Sequence, residues 1–336
     1  MSVREIGSEF WDVPTAKIKN SVFGADLSWY LSGRSALSAI IEDIARAKKI
    51  RRVLLPSWCC ESMIAPFVDV GADIMFYGVL LSDCKIAIDY PQNTEADVVV
   101  VMDYFGYSID AFIPNYDSVI IRDITHSVFS REYNDADYYF GSLRKWAGFY
   151  TGGFARKQNG NLPKATVADE RYISLRKRAM SMKKEYIECR SDVKDYLDVF
   201  SQAESLLDKT HYVFAADADD VKRAEYFDVD YIKRKRRDNA QALLSRLGEL
   251  SLFALNDGDC PLFVPIALSN RDEVRAELIS HSVYCPCHWG LSELHALSRA
   301  EKRIYECELS LVCDHRYGIN DMNRICDIVE RTAKAC

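Results

Sequence analysis

The chain has 336 residues, 49% of them hydrophobic and 28% charged, with a formal net charge of −7. This is the composition of a globular protein long enough for one large domain and a smaller one, and the acidic balance offers no general attraction to nucleic acid or to an anionic membrane surface. The opening MSVREIGSEFWDV lacks the basic start and apolar core of a secretion signal, no run approaches the roughly 20 apolar residues of a membrane helix, and the odd count of 11 cysteines suits reduced thiols, so a cytoplasmic protein is expected.

In chain order, SALSAIIEDIARAKK (35–49) places Ala36, Leu37, Ile40, Ile41 and Ile44 at helical spacing and closes on basic residues. RRVLLP (51–56) reads as a short buried strand stopped by proline. IAPFVDVGADIMFYGV predicts a helix, a Gly-marked turn and a second strand. ADVVVVMDYFGY (96–107) carries a continuous apolar run, the pattern of a parallel strand covered on both faces. DSVIIRD (117–123) repeats it, and DADYYFGS (135–142) and GGFARK (152–157) complete the series. Residues 165 to 250 are polar and helix-prone, with KRKRRDNAQALLSRL (233–247) the clearest helix; its basic run reads as a solvated face. PLFVPIAL, SVYCPCHW and ELSLVC, interleaved with helical segments, predict a small α/β terminal domain. It closes on the helix INDMNRICDIVERTAKAC, with Asn320 as the candidate cap. Strands alternating with helices imply a doubly wound α/β domain, whose ligands gather at the carboxyl ends of the strands, where Asp103, Asp123 and Ser142 fall.

No GxGxxG, GxxxxGK[ST] or GxSxG motif is present, which argues against a dinucleotide enzyme, a P-loop NTPase and a serine hydrolase. The cluster Cys285, Cys287, His288 and the pair Cys313, His315 lack the spacing of a zinc turn, so no metal is expected. Three features remain. YLSGRSAL (30–37) is a small-polar turn opening into a helix, suited either to plain capping by Ser32 or Ser35 or to holding a phosphate, with Arg34 adding a charge. IIRDITH (120–126) sets Asp123 at a strand end with His126 three positions on, either a capping acid and a core histidine or a pair acting on a heterocyclic ring. GSLRKWAGFYTGG (141–153) carries Ser142 and Lys145 on a turn before a glycine pair. Lys145 is either an ordinary solvated loop charge or a partly desolvated amine able to attack a carbonyl. An anion cradle, an acid on a middle strand and a Ser-x-x-Lys some twenty residues later, in that order, are the parts a pyridoxal phosphate site needs.

The chain resembles the DegT/DnrJ/EryC1/StrS family of sugar aminotransferases. IGSEF is similar to the family's entry segment, SGRSAL to its G-T-x-A-L turn, and LPSWCCESMIAPFVDVGA to its strand–helix unit. RDITH resembles E-D-x-A-[HQ], SLRKWAGFYTGG the lysine loop, VYCPCHW the P-x-H segment, and LSLVCDHRYGINDMNRI the closing segment. The resemblance implies the fold of type I pyridoxal phosphate-dependent transferases: a mostly parallel sheet flanked by helices, with a small α/β C-terminal domain. It implies a large domain over 1–230, with a helical elaboration at about 165–230, and a small domain over 231–336.

By the same resemblance Lys145 is the Schiff-base lysine, Asp123 the partner of the cofactor's ring nitrogen, and His126 a contact of the ring or its 3-oxygen. Gly33, Arg34, Ser35 and Ser142 hold the phosphate, Trp58 or Cys60 stands where a residue stacks on the ring, and His288 lies on the substrate side. Arg316 is a candidate for the donor's carboxylate, and Tyr104 a candidate lining residue, alongside Trp146. The implied reaction is transfer of an amino group, from glutamate by the family's habit, to a keto sugar linked to a nucleotide, in a homodimer. Arg34 stands where the family has threonine, and the family's Asn-x-Arg-Met stretch is absent, replaced by the helix-prone 165–230 segment. Another acceptor, an elimination, or a sugar- or cofactor-binding relative without catalysis stays open on these residues.

Overall fold

A computed structural model describes residues 5–24, 26–109, 113–208 and 212–336. The chain divides into two compact units, one built from Met1–Ser8, Ile50–Asn134 and Asp230–Cys336, the other from Glu9–Lys49 and Asp135–Val229.

In the first unit five strands run in the spatial order Val119–Asp123, Val98–Met102, Arg52–Pro56, Asp73–Ser82, Lys85–Asp89. The first four are mutually parallel, and the last returns antiparallel through a tight turn. Every residue of Val98–Met102 is buried, as the unbroken apolar run requires of a strand covered on both faces. Residues 240–329 and Ile6 build a core of their own, with Leu243, Val264, Leu278, Val283, Leu309, Ile325 and Val329 at its centre. Two short pairings cross it: Val264–Ala267 antiparallel to Glu308–Leu311, and Ile6–Gly7 parallel to Val283–Tyr284. The helix Ile319–Thr332 buries Met322, Ile325, Cys326 and Val329 at helical spacing, and burial of each large aliphatic chain contributes about 1.5–3 kcal/mol. Its cap is Gly318, whose N–H donates to Asp321 at 3.1 Å; Asn320 lies inside the helix and is exposed, so the expected cap is corrected.

The second unit carries three antiparallel strands in the order Ser28–Tyr30, Gly153–Lys157, Tyr138–Ser142. The helix Gly33–Ala47 starts two residues before the expected 35 because Ser32 caps it, its hydroxyl accepting the Ser35 N–H at 3.2 Å. The 165–230 segment forms the helices Glu170–Ile187, Tyr196–Asp208 and Ala218–Glu225. The first two pack through two apolar clusters: Tyr172 and Ile173 on Ala203 and Leu207, then Ala179 and Met180 on Tyr196, Val199 and Phe200. Among the described residues no helix is long and apolar enough to cross a membrane.

Candidate functional site

The second unit brings the lysine turn and the glycine turn together. Strand Tyr138–Ser142 ends directly in a single 3-10 turn, Leu143–Lys145. Leu143 and Trp146, three apart and both fully buried, anchor the turn, which leaves Lys145 facing outward. Lys145 is exposed rather than partly desolvated, because Trp146 takes the buried place beside it. Its ammonium makes no hydrogen bond or ion pair with a described residue. Its charge reaches Glu9: burial would raise that carboxyl, yet Arg176, Arg144, Lys183 and Lys145 together hold it below its usual range.

Ser142, 8% exposed, has no partner for its hydroxyl among the described residues. It stands against Gly33: a Cβ built on that glycine would lie 3.5 Å from the Ser142 Cβ. Gly33 and Arg34 open a 15-residue helix, and their N–H groups are among those a helix leaves without acceptors of its own. The Arg34 side chain turns away from this cradle. Its guanidinium donates to the Leu207 carbonyl and, at 3.1 Å, to Asp208. The Ser35 hydroxyl donates to the Tyr212 carbonyl at 3.0 Å. Both side chains are committed elsewhere, so backbone N–H groups and the Ser142 hydroxyl are what this turn offers an anion. Gly152 has φ +107°, and Gly153 lies so close to Ser32 that a Cβ would sit 2.0 Å from its carbonyl oxygen. The glycine pair thus lets the lysine loop approach the helix cap.

The first unit holds the acid and the aromatic residues. Asp123 ends its strand, 6% exposed, and its Oδ1 accepts the Thr125 N–H at 2.8 Å. His126, 3% exposed, stacks on Trp289 with centroids 5.6 Å apart and planes 18° apart, and tilts against Phe105 at 4.8 Å. Trp289 was not singled out from the sequence; its signal is adjacency to His288 in YCPCHW. Trp58 is fully buried, stacked on Tyr104 at 4.9 Å, with its indole N–H donated to the His288 carbonyl. Tyr104 is equally buried and donates its hydroxyl to the Trp58 carbonyl at 2.6 Å, so both belong to the core. Cys60 is half-buried and caps the helix Glu61–Asp69. His288 is buried with Nδ1 2.9 Å from Ser310 Oγ, and its N–H donates to Glu308 at 2.6 Å.

Arg316 already has a carboxylate. It grips Asp314 through Nε at 2.9 Å and an NH2 group at 2.8 Å, so a donor carboxylate would have to compete with Asp314. Although burial pushes the Asp314 carboxyl up, Arg316 and Arg236 hold it well below the usual carboxylate range. Between them in sequence, burial pushes His315 down to about 3, against the pull of Asp314. A histidine whose folded pKa lies below its unfolded value of about 6.5 is neutral when folded and protonated when unfolded. Its contribution is therefore fully present above pH 6.5 and is lost as pH falls toward 3. In His315→Gln, denaturant titrations between pH 6.5 and 4 are expected to show a stability slope flatter by up to about 1.4 kcal/mol per pH unit. An unchanged slope would show that His315 titrates normally.

No family model matches the chain, and no curated protein sequence matches it. Solved structures do, along nearly its whole length. Helicobacter pylori PseC, an aminotransferase involved in the biosynthesis of pseudoaminic acid, superposes with a TM-score of 0.65 at 12% identity, covering 98% of this chain and 99% of its own. Spr1654 from Streptococcus pneumoniae, in its apo form, gives 0.64 at 13% identity, covering 97% and 92%. A DegT DnrJ EryC1 StrS aminotransferase from Brucella abortus gives 0.58 at 13% identity, covering 91% and 85%. The chain has the fold of these sugar aminotransferases.

Proposed function

We propose that this protein is a pyridoxal phosphate-dependent aminotransferase of the DegT/DnrJ/EryC1/StrS family, transferring an amino group from an amino acid to a keto sugar. The observation that carries the reading is the second unit's turn pair: a Ser142 hydroxyl and a Lys145 ammonium, both without described partners, beside the N-terminus of a helix at Gly33. The comparisons support it, since Spr1654 was solved in a PLP form and a PMP form, and S. venezuelae DesV in complex with a ketimine intermediate.

The donor set fits the cofactor. The N–H groups of Gly33 and Arg34, at the start of the helix, and the unpartnered Ser142 hydroxyl beside them suit its phosphate. When bound, pyridoxal phosphate supplies an aldehyde for an amine and a ring that accepts electron density from the donor's broken C–H bond. Lys145 Nζ is the amine that would hold that aldehyde, and the group that would move the donor's proton. Asp123, whose carboxylate is pinned by the Thr125 N–H, would hold a proton on the ring nitrogen. His126, fixed by its stack on Trp289, would contact the ring or its oxygen. Glutamate is the proposed donor, a nucleotide-linked sugar the proposed acceptor, and a homodimer in the cytoplasm the proposed setting. The core built by residues 240–329 with Ile6 supports a small C-terminal α/β substructure over about 231–336, which lies in one compact unit with Ile50–Asn134.

The test is an absorbance titration of protein purified with added pyridoxal phosphate. A visible band is expected, bleached by glutamate and restored by the accepting keto sugar nucleotide. Protein that takes up no pyridoxal phosphate sinks the reading; uptake without bleaching by any amino acid removes the aminotransferase part.

A further inference from the structure

Glu204 and Asp208 stand four residues apart on the helix Tyr196–Asp208 and so share one face. Each carboxylate takes an arginine from a different turn of the second unit. Glu204 accepts from Arg144, the residue before Lys145, and Asp208 accepts from Arg34, the residue after Gly33. Arg34 also donates to Leu207, at the helix's C-terminal end, where a cation is favoured. Arg176 adds a second bond to Glu204 at 3.2 Å and reaches Glu9 at 3.4 Å; its side chain is 2% exposed and lies over the Phe200 ring. On its apolar side the same helix sets Ala203 and Leu207 in one buried cluster with Leu31, two residues before Gly33. The Ser35 hydroxyl, bonded to Tyr212, extends the grip just beyond the helix.

We infer that the helix Tyr196–Asp208 is a brace that fixes the lysine turn through Arg144–Glu204 and the anion cradle through Arg34–Asp208. The Arg144 and Arg34 side chains are then positioning groups, acting through the backbone on Lys145 and on the Gly33 and Arg34 N–H groups, and neither guanidinium touches cofactor or substrate. This rests on the proposed cofactor reading. Arginine suits the task because its planar fork holds two acceptors in fixed directions, as Arg34 does with Leu207 and Asp208. Misplacement of a reacting group by about 1 Å is enough to cost on the order of 100-fold in rate.

The test follows capture of pyridoxal and of pyridoxal phosphate by Lys145 in the full chain. Amine and aldehyde condense with loss of water, and added borohydride delivers hydride to the C=N bond, leaving a stable adduct counted by mass. Glu204→Ala is expected to slow capture of both probes alike, by about tenfold, and Glu204→Gln, which keeps an acceptor for Arg144, to recover part of the rate. Arg34→Ala is expected to leave pyridoxal capture within about twofold but to cut the preference for pyridoxal phosphate by about tenfold. Asp208→Asn should move that preference in the same direction. If Asp208→Asn raises the preference, Arg34 is a direct phosphate ligand and the brace fails there. If Glu204→Ala lowers the unfolding midpoint but leaves both capture rates unchanged, the helix is only structural. If the wild-type chain captures neither probe at Lys145, the cofactor reading falls and the brace with it. Wild-type capture with unaffected variants overturns the brace alone.

Discussion

Replacing Lys145 by alanine is expected to leave the fold intact and to lower amino transfer by on the order of 10³-fold or more. The two halves of that expectation come from different observations. Stability is spared because the side chain is exposed, makes no ion pair or hydrogen bond with a described residue, and hangs from a turn anchored by its buried neighbours Leu143 and Trp146. Exposed substitutions of this kind usually shift stability by no more than about 0.5 kcal/mol. Activity is expected to be lost because the proposed mechanism gives the same amine both the cofactor and the proton, and no other lysine lies on that turn. Arg144 cannot substitute: it is tied to Glu204, and a guanidinium stays protonated. The measurements are a thermal melt, the visible absorbance of the purified variant, and steady-state transfer with glutamate. A variant that keeps the lysine-dependent band and turns over within tenfold of wild type removes Lys145 from the mechanism.

What could be read in the sequence follows from how local each signal is. The strands Val98–Met102 and Val119–Asp123 declare themselves because a fully buried parallel strand must be apolar without interruption, and the acid that follows must then stand at its end. The order of the glycine turn, Asp123 and Lys145 was equally legible, since chain order needs no tertiary knowledge. The direction of the Arg34 side chain was not. Its acceptors lie 173 and 174 positions away, and a basic residue beside a phosphate-type turn reads naturally as an anion ligand. Glu204 was missed for a related reason: on a helix where it is one of several acids, nothing local marks the one that meets Arg144. Trp58, a candidate for stacking on the ring, and Tyr104, a candidate lining residue, each satisfy their polar atom internally and pack on one another. Burial decided those two, and burial is a property of the whole fold.

Gly153→Ala is expected to destabilise the protein by at least about 3 kcal/mol. Gly153 lies on the middle of the three strands, opposite Tyr30 on one side and Ser142 on the other. A Cβ there would stand 2.0 Å from the Ser32 carbonyl oxygen, 2.2 Å from its carbon and 2.8 Å from its Cα. All three are backbone atoms, so no rotamer change relieves the clash; the strand or the helix cap has to move. Against a total stability of about 5–15 kcal/mol, that is a large fraction. Gly78 serves as the control, because its Cβ would meet the Asp89 Cβ at 3.5 Å, an ordinary contact, and Gly78→Ala should change stability by no more than about 1 kcal/mol. Urea denaturation of both variants beside wild type reads the difference. Displacing Ser32 also displaces Gly33, so any folded Gly153→Ala protein should bind pyridoxal phosphate more weakly while Gly78→Ala binds it as wild type does. Equal stability of the two variants would show that the lysine loop and the helix cap do not meet as closely as the geometry has them.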